Sequence, residues 1–351
     1  MRLRHFETLR PICPVCRGRE EDSPLGLGCV AREEREHILE GVLVCSDRAC
    51  QREYPIIDGI PIILPAIREY ISGNLLAIAG RSDFSDTIES LLGDCCGPGS
   101  PHDAQRQQLS SYAWDHYAEF DPAEPSAEPT PGGSVRLLEA GLALSEVNPS
   151  GPIIDLGCGP GRAALALAER FDELVLGIDV NFALLRLAGQ VLREGKASYP
   201  RRRVGVVYDR REFAVPTSRA ENVDFWCCDA SALPLADRTF AAAVALNLLD
   251  SIPQPQALLE SLGRTLSAGA SAIIACPYDW SSAVTPVEAW LGGHSQRSPE
   301  HGDSSLALRR LIAASDRLRI VAEVDHLPWH VRLHDRSHVR YDVHLVVARA
   351  E

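Results

Sequence analysis

From residue 134 onward, the apolar positions alternate between two periods. SVRLLEAGLALSEV spaces its leucines and alanines along one helical face. The next apolar run, in GPIIDLGCGPG, is short and continuous and ends in glycines, as a strand buried on both faces does. RAALALAERF then predicts a helix, ELVLGID a strand and NFALLRLAGQVLREG a further helix. After an Arg-rich insertion, NVDFWCCDA predicts a strand, FAAAVALNLLDSI a strand and turn, and PQALLESLGRTL a helix closed by Ala268-Gly269. SAIIACPYDW is the next strand. This alternation predicts a parallel sheet covered by helices. The end of the chain differs: after the helix SLALRRLIAAS, the segments LRIVAEVDHLPWHV and YDVHLVVARA show period two and predict an antiparallel pair at the sheet's end.

Before residue 134 the pattern changes twice. Residues 1–65 form a small unit with two close cysteine pairs and the apolar run YPIIDGIPIIL. Residues 66–133 form an acidic connector. Ile67, Tyr70, Ile71 and Leu75 predict a helix there, SSYAWDHYAEF a second short one, and DCCGPGSPHD and DPAEPSAEPTPGG loops rich in Pro, Gly and acids. Residues 134–351 make the third and largest unit. No apolar run approaches the ~18–20 residues of a membrane span. MRLRHFETLRPICPVC has no apolar stretch after its arginines, which is not a signal peptide and leads to the expectation of a cytoplasmic protein.

The net charge of −13 is unevenly distributed. Residues 1–65 carry 9 Arg against 11 acids, residues 66–130 carry 3 against 11, and residues 131–351 carry 23 basic residues against 26 acids. Most of the excess therefore sits in the connector. An acidic protein is a poor partner for phosphate backbones, but here the acidity is local. Tyr199-Pro200-Arg201-Arg202-Arg203, with Arg210 and Arg211, is the one basic cluster; it either faces RNA phosphates or balances the acidic connector, and the second reading is preferred.

The strongest chemical signal is Ile153-Ile154-Asp155-Leu156-Gly157-Cys158-Gly159-Pro160-Gly161-Arg162. Glycines after a buried strand allow a tight turn and close backbone approach of a ligand at the positive end of the next helix. Their spacing is not the GxGxxG of dinucleotide binders, which argues against a nicotinamide oxidoreductase. Asp179 ends the next strand, where it can accept from ribose hydroxyls, and Asp229 follows the third, placed for an adenine amino group. Three acids at three successive strand ends converge on one crevice. On DLGCGPGR, this second acid and DASALPLADRTFAAAVALNLLDSI, residues 134–276 resemble class I S-adenosylmethionine-dependent methyltransferases. That resemblance implies a Rossmann-like, seven-stranded, mostly parallel sheet with a terminal antiparallel hairpin, and an S-adenosylmethionine site. It places Asp155, Gly157, Gly159 and Gly161 at the methionine part, Asp179 at the ribose and Asp229 with Ala230 at the adenine; Asn247 is a further cofactor-binding candidate.

Cys13 and Cys16, with Cys45 and Cys50, supply four thiolates in two close pairs, a closed tetrahedral zinc site of structural type. Cys29 reads as a small core residue of the same unit. The segment, YPIIDGIPIIL above all, resembles the small zinc-ribbon proteins that activate methyltransferases as separate subunits, here fused ahead of the catalytic unit. It is also similar to ribosomal RNA guanine methyltransferases with an N-terminal zinc finger, although those include a His ligand.

No catalytic dyad is evident, and methyl transfer depends more on positioning than on a base. Acceptor-side candidates are Tyr112, Asn247, Tyr278 and His294. Asn247-Leu248-Leu249-Asp250 stands where adenine amino-methyltransferases carry Asn-Pro-Pro-aromatic, which disfavours that activity. The leading expectation is methyl transfer to a small-molecule or protein acceptor. The alternatives are RNA methylation, using the ribbon and the Arg cluster, and a non-catalytic cofactor-binding or partner-binding module. The sequence does not fix the oligomeric state.

Overall fold

The computed structural model describes residues 1–81, 83–126, 128–145 and 148–351. Helices α1 (Leu3–Leu9) and α2 (Pro14–Arg17) precede an antiparallel run of β1 (Leu25–Glu34), β2 (His37–Cys45), β3 (Glu53–Ile57) and β4 (Ile60–Ile63). The connector holds α3 (Ile67–Gly73), α4 (Leu75–Ala79), α5 (Asp86–Cys96) and α6 (Pro101–Tyr117). There follow α7 (Gly133–Ser145), β5 (Ile153–Leu156), α8 (Arg162–Phe171), β6 (Val175–Asp179), α9 (Phe182–Glu194), β7 (Lys196–Val204) and β8 (Val207–Ala214). The chain ends with β9 (Val223–Cys228), β10 (Phe240–Leu246), α10 (Pro255–Thr265), β11 (Leu266–Cys276), α11 (Ser304–Ala313), β12 (Leu318–His334) and β13 (Ser337–Ala350). Among the described residues no helix is long and apolar enough to cross a membrane.

Seven strands run in the order β9-β6-β5-β10-β11-β13-β12. The first five are mutually parallel, and β13 is antiparallel to both its neighbours. This is the expected α/β sheet with a terminal antiparallel hairpin. From β5 the chain winds outward through β6 to β9, then returns to the other side for β10 and β11. The reversal opens a crevice at the carboxyl ends of β5 and β10. β5 and β9 are buried throughout, which is why they read as continuous apolar runs.

The N-terminal unit extends this same sheet. β4 pairs in parallel with β9 through Ile62↔Cys227 and Ile63↔Cys228, giving eleven strands in all. Left uncovered, β9 would offer a row of unpaired backbone groups. The joint is completed by polar contacts. The Arg2 amide donates to the buried Asp224 carboxylate at 2.9 Å, its Nε to Val223 O at 2.9 Å, and the Ile12 amide to Pro234 O at 2.9 Å.

Several local expectations need correcting. DCCGPGSPHD is not a loop: α5 runs through Cys96 and α6 starts at Pro101, leaving only residues 97–100 between them. The signal was present, because Ser100 accepts from the Asp103 amide at 3.2 Å as an N-cap and proline follows at the first helical position. The short helix expected in SSYAWDHYAEF is the end of this 17-residue helix. α10 stops at Thr265, and Ala268-Gly269 lies inside β11, with Gly269 at φ 77° where the register with β10 shifts. Cys29 is exposed on β1 rather than part of the core. The helix expected over SVRLLEAGLALSEV is present to Ser145; Glu146 and Val147, like Ala127 in the expected linker DPAEPSAEPTPGG, lie outside the described residues.

The Arg-rich insertion is a hairpin, β7 paired with β8, packed beside α6. Its arginines meet the acids of the connector. Arg211 grips Asp121 with bonds of 2.6 and 2.8 Å, Arg210 reaches Glu89 at 2.6 Å and Asp86 at 3.4 Å, and Arg201 lies 3.3 Å from Glu124. Burial works against ionisation of Asp121, yet the Arg211 guanidinium and the Ala123 amide hold its carboxyl below the usual range. The tip of the β12–β13 hairpin joins the same network: Asp335 pairs with Arg201 at 2.7 Å and with Arg332. The charge asymmetry of the sequence is thus largely spent within the fold.

Candidate functional site

The turn between β5 and α8 carries the first group of residues. Gly157, Gly159 and Gly161 all have positive φ, at 67°, 52° and 90°, which glycine adopts without a Cβ clash. Space imposes a second demand at Gly161: a Cβ there would stand 2.4 Å from the Phe225 ring and 3.1 Å from Ala188, so α8 could not approach β9 and α9. Asp155 sits in β5, 2% exposed, and its Oδ2 has no hydrogen-bond partner. Burial, then the negative charge of Asp179, pushes its pKa up to about 8.

Asp179 ends β6 and accepts from the Gly159 amide at 2.9 Å and the Asn181 amide at 2.7 Å, so it also shapes the glycine turn. Its pKa is raised by burial, against the pull of these amides. Asp229 follows β9 and accepts from the Ser231 amide at 2.8 Å, capping the short helical turn that buries Ala230. Asn247 follows β10 at φ 54°, its amide fixed to Ala275 O at 2.8 Å and its Oδ1 buried without a partner. Asp155, Asp179, Asp229 and Asn247 therefore stand at the carboxyl ends of four adjacent strands, around the chain reversal. Two unsatisfied buried oxygens and three carboxyls suit a ligand carrying cationic and hydrogen-donating groups.

Sequence reasoning missed how α6 closes this turn. Its last residues lie over the glycines: buried, neutral His116 accepts from the Arg162 amide at 3.2 Å, capping α8, and the Tyr117 hydroxyl donates to Pro160 O. Burial, reinforced by Arg162, pushes the His116 pKa down to about 3, so its Nδ1 stays free to accept. Asp115, also buried, accepts from the Gly133 amide at 2.7 Å, the Ser134 amide at 3.2 Å and Trp329 Nε1 at 3.2 Å. The available signal was an Asp-His pair inside the otherwise apolar stretch AWDHY.

The acceptor-side candidates are dispersed. Tyr112 lies on α6, three residues before Asp115, with 36% of its surface open. Desolvation of its hydroxyl, then the charges of Asp179, Asp250 and Asp115, raises its pKa. The Tyr278 hydroxyl, after β11, is engaged with His344 Nδ1 at 2.8 Å. His294 is exposed and bonded to Gly292 O at 2.8 Å within its own loop, where Trp280 stacks on Trp290.

The cysteines form the second centre. All four sulfurs of Cys13, Cys16, Cys45 and Cys50 lie within 4.8 Å of one another, with Cys13–Cys50 at 3.8 Å and Cys16–Cys45 at 3.7 Å. Thiolates ~2.3 Å from a tetrahedral zinc ion stand about 3.8 Å apart, whereas disulfide sulfurs are about 2.05 Å apart. The Tyr54 hydroxyl lies 3.2 Å from Cys13 Sγ, an outer-shell contact of the kind that orients metal ligands. This donor set fits zinc.

A methyltransferase-domain model matches residues 154–274, and a Trm112p-like protein model matches residues 6–59. The malonyl-[acyl-carrier protein] O-methyltransferase of Marinomonas sp. (strain MWYL1) is 23% identical over 214 residues, 61% of this chain and 65% of that protein. The O-methyltransferase rstn1 of Aspergillus nomiae is 28% identical over 137 residues, 39% of this chain and 51% of that one. The chain thus spans between half and two thirds of the length of these relatives. A chain of the solved complex of the Haloferax volcanii Trm112 methyltransferase activator aligns at 15% identity and a TM-score of 0.39, covering 62% of this chain and 90% of that one. Residues 154–274 thus match the methyltransferase-domain model and residues 6–59 the Trm112p-like model, the two matches lying in one polypeptide.

Proposed function

We propose that the chain is an S-adenosylmethionine-dependent methyltransferase acting on a small-molecule or protein acceptor, with a structural zinc in its N-terminal unit. The observation that carries this reading is Asp155, a buried carboxyl without a partner on Oδ2, two residues before the first positive-φ glycine. An unpaired buried carboxylate is costly, and a cation arriving beside it offsets that cost. Asp155 would face the methionine end of the cofactor, Asp179 the ribose hydroxyls, and Asp229 with Ala230 the adenine; Asn247 would border the acceptor. When bound, S-adenosylmethionine supplies an electrophilic methyl group.

The protein's own contribution is positioning and exclusion of water. His116 and Tyr117 hold the glycine turn in one conformation, and α6 covers it. Cys13, Cys16, Cys45 and Cys50 would close all four zinc positions, leaving none for chemistry. Thiolates kept as ligands fit a reducing, cytoplasmic setting. The ion pairs that occupy Arg201, Arg203, Arg210 and Arg211 count against the RNA alternative, which needs those side chains free.

Calorimetric titration of the full chain with S-adenosylhomocysteine tests the reading. Asp179→Asn keeps one acceptor for the loop amides but removes the charge facing the ribose, and affinity should fall at least about tenfold, since hydrogen bonds to charged groups contribute about 1.5–3 kcal/mol each. Unchanged affinity in that variant refutes the assignment of Asp179.

A further inference from the structure

The cofactor reading uses the ends of β5, β6 and β9 and touches that of β10 only at Asn247, leaving the segments that follow β10 and β11 at Asp250 and Asp279 unassigned. Asp250 and Asp279 stand there, and their geometry is built rather than incidental. Asp250 is 3% exposed, and its Oδ2 accepts from the Asp279 amide at 2.7 Å. The Asp279 side chain is gripped from the opposite direction, since the Tyr341 hydroxyl donates to its Oδ2 at 2.8 Å. Tyr341 stacks on Trp329, with ring centroids 5.2 Å apart, and Trp329 Nε1 donates to buried Asp115 on α6. Four elements thus cooperate to fix one exposed carboxylate.

Among the described residues Asp279 Oδ1 has no partner, and no Arg, Lys or His forms an ion pair with Asp279 or Asp250. Nearby, Asn247 adds a buried Oδ1 that also lacks a donor, on a backbone held at φ 54°. Strain in a non-glycine residue persists where the surroundings over-determine it, which happens most often at ligand sites. Tyr341 on β13, stacked on Trp329, brings ring surface to Asp279. This corner offers hydrogen-bond acceptors and aromatic faces, and no cation.

Resting on the cofactor reading above, we infer that Asp279, held by Tyr341 and Asp250, selects the methyl acceptor: it admits molecules that present an N–H or O–H beside an aromatic or apolar body and rejects those that present a carboxylate or phosphate. A negative group brought to this corner would meet two carboxyls and no counter-charge. A protonated amine gains a charge-assisted bond to Asp279 and ring contact with Tyr341. Tyr341 and Asp250 act as positioning residues, since each works through Asp279.

The full-length chain is first titrated with S-adenosylhomocysteine, then at saturation with benzylamine, benzyl alcohol or benzoate, following binding by calorimetry. Benzylamine and benzyl alcohol should saturate at least tenfold more tightly than benzoate. Asp279→Asn should abolish most of benzylamine's advantage while leaving S-adenosylhomocysteine affinity unchanged. Tyr341→Phe, which keeps the stack but frees Asp279, should give an intermediate loss. Benzoate binding as tightly as benzylamine, no binding of any probe, or unchanged selectivity in Asp279→Asn overturns the inference. Failure of S-adenosylhomocysteine to bind in the first titration refutes the cofactor reading instead.

Discussion

Asp155 allows a sharp test because its two expected roles act in opposite directions. In the unfolded chain an aspartate titrates near 3.9; in the folded protein burial and the neighbouring Asp179 push this one to about 8. Between those values the folded chain keeps a proton that the unfolded chain has released. The stabilisation linked to that proton is complete below about pH 4 and is lost as pH rises toward 8, at up to about 1.4 kcal/mol per pH unit. Asp155→Asn has nearly the same shape, carries no charge at any pH, and can turn its amide toward Asp179. From pH 5 to pH 8 the wild-type protein should therefore lose up to about 4 kcal/mol relative to the variant, with about 2 kcal/mol as a floor if local relaxation is large. Urea unfolding of both proteins at the two pH values measures this directly. The same variant should bind S-adenosylhomocysteine at least about tenfold more weakly, because a carboxylate facing an ammonium has become a neutral amide. Parallel pH–stability profiles would refute the account of Asp155 as a strained, partner-seeking carboxyl. Unchanged ligand affinity would remove it from the site.

Three further outcomes are expected. Elemental analysis should find about one zinc per chain, and stripping it with a strong chelator should unfold the N-terminal unit and lower the melting temperature; a metal-free protein with an intact melting curve would contradict the four-thiolate site. Gly161→Ala, which drives a Cβ to 2.4 Å from Phe225 at φ 90°, should destabilise by about 2–4 kcal/mol. Gly205→Ala, at φ 55° in open space, should cost only about 1–2 kcal/mol, so equal losses in urea melts would discount the packing argument. Asp121→Ala should cost about 1–3 kcal/mol, and a double-mutant cycle with Arg211→Ala should recover most of it as coupling, whereas purely additive losses would show that the pair does not anchor the connector.

The sequence by itself determined what depends on neighbours along the chain. Helical and strand periods located most elements of residues 134–351, though not the β7–β8 hairpin or the start of β11, because burial of one helical face or of both strand faces leaves its period in the residues themselves. The glycine turn and the two cysteine pairs were legible for a similar reason: tight backbone geometry and metal chemistry each demand particular residue types at short spacing. Even the N-cap at Ser100 was local, and was overlooked beneath the Pro and Gly around it.

What only the tertiary structure decided are contacts between distant segments. Nothing in YPIIDGIPIIL specifies that Ile62 and Ile63 will lie beside Cys227 and Cys228, because backbone pairing leaves little trace in side-chain identity. The connector looked like an acidic spacer until its carboxylates were seen facing Arg201, Arg210 and Arg211. Charge composition records how many ions a segment carries, not where their partners stand. The same holds at the crevice. His116 capping α8, and Asp279 held between Asp250 and Tyr341, join residues 29 to 62 positions apart, so their geometry exists only once the sheet has brought those strand ends together.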